Sequence, residues 1–552
     1  MPINKTLVIG WDGATFDVID PMIANGDLPH IARLMENGTR GLLESTIPPS
    51  SAVAWPTFMT GCLPRKHGIY GFYQSTGDYS TELVTSSNIR VPRFWDWLGS
   101  REIRTIAINI PVTFPPTPLN GIMISGMLTP NSTVTFTYPQ HISDALRTLN
   151  PPYPIEADVI RQIRTSSQFA CSLKLIDKWI NDFQVSVEWL LSNHNWDCAC
   201  IVYRASDIIQ HYLGIPGKQD QIRDNSENGV FRVYQKLDES LGRLMTSLSE
   251  KPSVFLVSDH GAGPVEGRFF VNNWLIRNNF LTLKSLPSVR RSVNLKRRVP
   301  LGRILSRLHL SRLAGALPVW IQSLGIPAHD RLALDHLINW NKTIAYAPVS
   351  DVQSASIRLN LRGREPNGIV GIEQAIPILD TISKCLSSIN TRQNEPLFSR
   401  VFIPAGEFDD LSSNRGPDLI ALPNENLFHN ISHAITGESQ IIDGPPPRAK
   451  GQHRLHGIFA ASGHNILRGK RIDTARIVDI APTLLHSMGV PIPDNMDGMV
   501  LEDIFSPDWK ARNPVQSFDS LPETSPSQDA IDDTHSDRRD VEAALRALGY
   551  LD

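Results

Sequence analysis

Short apolar runs alternate with segments of helical periodicity through the first half of the chain, and this alternation limits the possible folds more than any other feature. Leu7-Val8-Ile9-Gly10-Trp11 reads as a strand buried on both faces, because no polar residue interrupts it. Ile103 to Ile110, Ile122 to Ser125, Ala199 to Tyr203 and Val254 to Val257 are further strand candidates. Leu28 to Asn37, closed by Gly38, and the longer stretches Phe169 to Leu191 and Val230 to Leu248 carry apolar residues at helical spacing. Strands that are apolar throughout need cover on both faces, and crossover helices supply it. The sequence therefore predicts an α/β fold, a mostly parallel sheet sandwiched by helices.

At 552 residues the chain exceeds one ordinary core, so an insertion or a second domain is expected. The alternation weakens after about Asn273. It returns at Gly457-Ile458-Phe459-Ala460-Ala461, followed by a helix over Thr474 to Met488 with Gly489 as its stop. Residues 1–265 and 446–510 are read as two parts of one core, and 266–445 as an inserted cap with strands over Ile344 to Asn360 and Pro417 to Leu422. Residues 511–552 are read as a flexible linker, rich in Ser, Pro, Asp and Thr, then a short helix whose Leu-Gly-Tyr-Leu end docks back.

A formal net charge of −3 gives no global reason to expect nucleic-acid binding. The five cysteines have no metal-type spacing, and Cys198 and Cys200 flank Ala199 as strand neighbours rather than a redox pair. Neither a secretory signal nor a membrane-spanning stretch is visible, so a cytoplasmic protein is expected. Lys284 to Arg312 carries nine Lys/Arg and no Asp or Glu, interleaved with Leu and Val. Such a segment is a solvated insertion or a packed interface, or an amphipathic contact with an anionic membrane surface.

Chemistry-bearing residues cluster where apolar runs end. Asp12 directly follows the first strand, where sheets of this kind bind ligands. Ser51 opens the helical stretch Ala52-Val53-Ala54-Trp55, where a hydroxyl meets free N–H groups and the positive helix end; Ser50 is an adjacent competitor. Asp207 and His211 follow the strand ending at Tyr203 and share one helix face if Ser206 caps that helix. Asp259-His260 ends the strand Val254 to Val257, ahead of Gly261 and Gly263. His453 precedes the strand at Gly457, with His456 and His464 nearby.

The stretches Ile47-Pro48-Pro49-Ser50-Ser51-Ala52-Val53-Ala54-Trp55 and Thr60-Gly61-Cys62-Leu63-Pro64-Arg65-Lys66-His67-Gly68-Ile69 resemble the nucleophile region of the alkaline phosphatase superfamily, in its type I phosphodiesterase/nucleotide pyrophosphatase branch. Asp12-Gly13, Asp207 with His211, Ser258-Asp259-His260-Gly261 and Gly451-Gln452-His453-Arg454 follow in that family's order, as do Asp479 to Leu484 and Met496-Asp497-Gly498. The resemblance covers most of residues 5–265 and 450–505. It implies one metal held by Asp12, Ser51, Asp259 and His260 and another by Asp207, His211 and His453. Zinc is the usual ion and manganese is compatible. It also implies a small phosphoester substrate attacked by Ser51, giving a phosphoseryl intermediate.

The chain departs from that pattern in several places. Val53 and Ala54 stand where nucleotide pyrophosphatases carry Pro-Asn, Phe72 stands where they have an asparagine, and the nucleophile is Ser rather than Thr. These changes weaken the case for a nucleotide substrate without touching the ligand set. Cys62-Leu63-Pro64 resembles the start of a sulfatase motif, but Lys66 occupies its arginine position and Gly13 follows Asp12, so Cys62 is read as core and His67 as a structural hydrogen-bonding residue. The alternatives are a phosphotransferase resembling cofactor-independent phosphoglycerate mutase and a non-catalytic membrane-surface adaptor.

Overall fold

The computed structural model describes residues 5–165, 169–215, 228–248, 250–284, 337–404, 416–435, 441–445, 450–519 and 535–550. Residues 285–312 of the basic segment and 520–534 of the linker lie outside the described residues.

Nine strands form the central sheet: β1 (Thr6–Trp11), β2 (Gly38–Glu44), β3 (Thr105–Ile110), β4 (Gly121–Ser125), β5 (Thr137–Tyr138), β6 (Cys198–Tyr203), β7 (Ser253–Val257), β8 (His456–Ser462) and β9 (Lys470–Arg476). Their order is β9-β2-β8-β7-β1-β6-β3-β4-β5. The core pairings β7-β1-β6-β3-β4 are parallel, while β8 runs antiparallel between β2 and β7. The fold is α/β with a mostly parallel sheet. Every residue of β1 is buried, and Leu7, Val8 and Ile9 each contribute on the order of 2 kcal/mol by leaving water.

The helices that matter for the site are α1 (Ser51–Thr60), α2 (Glu156–Thr165), α3 (Phe169–Asn193), α4 (Ala205–Leu213), α5 (Gly229–Ser247), α6 (Ile480–Ser487) and α7 (His535–Leu548). Register puts the carboxyl ends of three central strands side by side: Trp11 pairs with Tyr203, and Gly10 with Val257. A short antiparallel ladder of Gly261–Pro264 with Gly451–Arg454 then sets Ala262 opposite His453. That ladder carries a late segment of the chain to the end of β7.

Residues 269–431 contain a second hydrophobic cluster, with Phe269, Leu275, Ile357, Leu379 and Ala421 at its heart. A four-stranded antiparallel sheet of Ala345–Tyr346, Ala355–Leu359, Leu419–Pro423 and Phe398–Phe402 lies there against the helix Ile372–Ser387. At the other end of the chain, α7 buries Val541, Ala544, Leu545 and Leu548. These positions share one helical face, which lies opposite Met127, Leu128, Ala157 and Ile160. No helix among the described residues is long and apolar enough to cross a membrane.

The structure differs from the sequence expectation at two places. Gly38 does not cap a helix in a left-handed conformation; it begins β2, where a Cβ would stand 2.0 Å from the Ala461 carbonyl oxygen. The helix expected from Thr474 starts only at Ile480, because Lys470–Arg476 is the exposed edge strand β9. Its polar, solvated face hides the strand period that buried neighbours show.

Candidate active site

Asp12 emerges from β1 fully buried, its N–H donating to the Tyr203 carbonyl at 3.0 Å. The Trp55 indole N–H, one turn into α1, donates to Asp12 Oδ2 at 2.7 Å and fixes the carboxylate's rotation. Gly13 has φ +66, and its N–H donates to Asp259 Oδ1 at 3.2 Å. A Cβ at Gly13 would stand 2.9 Å from Asp207 Oδ1, so both the backbone conformation and the close approach require glycine.

Ser206 does not cap α4. Arg204 occupies the cap position without a side-chain cap bond, and Ser206, already inside the first turn, donates its hydroxyl to the Asp12 carbonyl at 2.6 Å. This bond ties α4 to the end of β1. Asp207 and His211 still share one helix face, with Asp207 Oδ1 3.3 Å from His211 Nε2.

The structure gathers six of the singled-out residues into two buried trios, Asp12-Asp259-His260 and Asp207-His211-His453, each with the ligand atoms to hold a metal ion. In the second trio His453 Nε2 lies 3.0 Å from His211 Nε2 and 3.5 Å from Asp207 Oδ1. The trios abut, because the His260 and His453 rings stack with centroids 3.5 Å apart. Ser51, the first residue of α1, is fully buried with Oγ 3.1 Å from His260 Nε2. Ser50 lies one position outside the helix and borders Asp351 instead.

Backbone carbonyls fix two histidine tautomers. His260 Nδ1–H donates to the Gly261 carbonyl at 2.9 Å, and His453 Nδ1–H to the Pro49 carbonyl at 2.8 Å. Each Nε2 then presents a lone pair inward, as a ligand must. Burial lowers the pKa of both imidazoles, and for His453 the neighbouring His260 adds to the effect. Burial raises the Asp259 carboxyl, reinforced by the charge of Asp12. For Asp207 burial is outweighed by His211, His453 and Arg204, which hold it below its usual range.

Arg204 lies at the centre of this charge, fully buried. Its Nη1 is 2.6 Å from Asp12 Oδ1 and 3.4 Å from Asp207 Oδ2, and its Nε is 3.3 Å from Glu156 Oε2 on α2. These carboxylates raise its pKa despite burial. One guanidinium thus faces Asp12, Asp207 and Glu156, with Asp259 also close enough to feel it. Four buried carboxylates exceed one fixed cation, and Asp259 Oδ2 and His211 Nδ1 make no hydrogen bond. The donor set fits divalent cations, which would supply the missing positive charge.

Arg204 and Tyr550 were not singled out from the sequence. Arg204 directly follows a buried strand, a position that marks a site residue. Tyr550 carries a weaker signal, since docking of its segment was legible but not its partner. The remaining residues take structural places. Cys62 is buried, and Arg65 and Lys66 pair with Asp497 at 2.9 and 2.8 Å. His67 accepts from the Ile69 N–H at Nδ1, so its Nε2–H donates to Thr57 Oγ1 at 2.9 Å. Phe72 is fully buried against the Tyr550 ring.

No curated relative matches the sequence. Among solved structures, murine ectonucleotide pyrophosphatase/phosphodiesterase 5, an inactive variant in complex with AMP, is 13% identical, with 91% of this chain and 100% of that chain covered and a TM-score of 0.49. The human ectonucleotide pyrophosphatase/phosphodiesterase 5 gives the same identity, coverage and score. Phosphonoacetate hydrolase from Sinorhizobium meliloti, in complex with phosphonoacetate, is 13% identical, with 88% and 95% covered and a TM-score of 0.52. This last likeness concerns the fold. The family described as type I phosphodiesterase / nucleotide pyrophosphatase matches residues 6–435, most of the chain. The chain therefore belongs to the type I phosphodiesterase/nucleotide pyrophosphatase family.

Proposed function

We propose that this member of a phosphoester-hydrolase family uses two divalent metal ions and a covalent phosphoseryl intermediate on Ser51. The observation that carries the reading is the placement of Ser51 Oγ beside two abutting trios, 3.1 Å from His260 Nε2. Asp12, Asp259, His260 and the Ser51 hydroxyl would hold one ion; Asp207, His211 and His453 would hold the other. Bound there, two cations supply Lewis-acid charge that acidifies a coordinated hydroxyl and neutralises phosphoryl oxygens. Zinc suits a mixed carboxylate/imidazole set, and manganese is compatible.

The chain's own residues do the rest. Ser51 sits at the amino end of α1, where the helix field favours an alkoxide and a bound phosphoryl group. Its oxygen attacks phosphorus as the ester oxygen leaves, and water then cleaves the phosphoserine. Trp55 and Ser206 hold Asp12 and its backbone in place, while the carbonyls of Gly261 and Pro49 keep His260 and His453 in the ligand tautomer. Arg204 offsets part of the carboxylate charge, so the site need not collapse when empty of cations.

Metal analysis of the purified chain tests this reading, followed by turnover of p-nitrophenyl phosphate and bis-p-nitrophenyl phosphate with and without EDTA. Metal-dependent hydrolysis of either ester is expected. A metal-free protein with full activity would overturn the two-metal mechanism, and inactivity on both esters with metal restored would overturn the hydrolase.

A further inference from the structure

We infer that Tyr550 is a positioning residue for the second trio of ligands, so that the segment 535–550 is a working part of the site. The inference rests on the two-metal reading above. Four independent features bring the phenol to its place. First, α7 docks through Val541, Ala544, Leu545 and Leu548. Second, Gly549, at φ +80, ends the helix, and the Tyr550 N–H returns to the Leu545 carbonyl at 3.1 Å. This turn points the tyrosine inward rather than along the helix axis. Third, the Gly549 carbonyl accepts from Gln452 Nε2 at 2.9 Å, next to His453 in the chain. Gln452 Oε1 in turn accepts from Gln353 Nε2 at 2.9 Å, so cap, ladder and turn are fastened together.

The fourth feature is the phenol's use of both its functions. Its oxygen accepts from Arg204 Nη2 at 2.6 Å, and its O–H donates to Asp207 Oδ2. Asp207 is thereby divided: Oδ2 faces Tyr550, and Oδ1 is left toward His211 and His453. The ring packs edge-on against His211 and His453, with centroids 4.7 and 5.4 Å away, and is fully buried. A hydrogen bond that pins the far oxygen of a ligating carboxylate fixes which oxygen the ion meets. Tyr550 does for Asp207 what Trp55 does for Asp12.

The test is a zinc titration of the full chain against a competing chelator, comparing wild type with Tyr550→Phe. That variant keeps the ring contacts and removes only the hydroxyl. One of the two zinc sites is expected to weaken by about 10- to 100-fold while the other changes less than about twofold. Metal-free melting of the variant is measured alongside, because loss of the buried bonds to Arg204 and Asp207 can lower stability by itself; a lower melting point with both zinc affinities unchanged makes the hydroxyl a support of the fold and overturns positioning. Leu548→Asp, which undocks α7 without altering the phenol, should weaken the same site. Unchanged zinc affinity at both sites in Tyr550→Phe overturns the inference, and so does tighter binding, which would make the phenol a plug. Absence of zinc binding by wild type instead overturns the two-metal reading and this inference with it.

Discussion

Asp351 is the place where residues 269–431 press a carboxyl against the nucleophile segment, and its environment yields a signed, pH-dependent prediction. The residue is 1% exposed, accepts from the Gln353 N–H at 3.0 Å and borders Ser50. Burial pushes its carboxyl up from 3.8 to about 6, partly offset by the Gln353 N–H and the Ser50 hydroxyl. A carboxyl whose folded pKa is raised contributes stability that is complete below its unfolded value and lost as pH climbs through the folded one. Two units at about 1.4 kcal/mol each put the full loss at about 3 kcal/mol by pH 8, with about half already gone at pH 5. Asp351→Asn copies the shape and acceptor of the neutral acid and escapes that loss. The variant should therefore gain about 3 kcal/mol over wild type at pH 8 and about 1.5 kcal/mol less gain at pH 5. A chain with two hydrophobic clusters need not unfold in one step, so local hydrogen exchange of Ala355–Leu359 is the appropriate measure. No gain at pH 8, or the same gain at both pH values, would refute the reasoning.

Three further outcomes are expected. Ser51→Ala should lower kcat by on the order of 10⁴-fold or more, whereas Ser50→Ala keeps turnover within about tenfold, read on p-nitrophenyl esters; the reverse result would reassign the nucleophile. His453→Ala removes one of three ligands from the second trio, so elemental analysis should show bound zinc falling from two ions per chain towards one. Gly13→Ala forces a positive φ on alanine and a Cβ 2.9 Å from Asp207 Oδ1, so it should cost roughly 1–3 kcal/mol in unfolding experiments and lower activity with it.

Much of the fold was open to sequence reasoning because buried parallel strands announce themselves. β1, β6 and β7 are apolar runs with polar residues at their carboxyl ends, and Asp12, Asp207 and Asp259 stand out for that reason. The end of the exposed strand β9, from Thr474, reads as the start of the following helix because solvent on one side erases that contrast. Gly38 reads as a helix stop because a glycine needed for close backbone approach looks the same in sequence as one that ends a helix. The four-stranded sheet between Ala345 and Pro423 gives weaker signals, since its strands are short and antiparallel and much of their pairing is distant in the chain.

What the sequence determined by itself is local: the buried runs, the helix that starts at Ser51, and the shared face of Asp207 and His211. Each follows from neighbours a few residues away, through periodicity and steric preference. What only the tertiary structure decided is which distant groups meet. His453 reaches Pro49 across 404 positions and His211 across 242, by way of a ladder that no local pattern encodes. Arg204 acquires its three carboxylates, and Tyr550 its bond to Asp207 across 343 positions, only once the strand ends are aligned and α7 has docked. Charge in a buried site depends on everything within a few ångströms, and proximity of that kind exists only after the chain has folded.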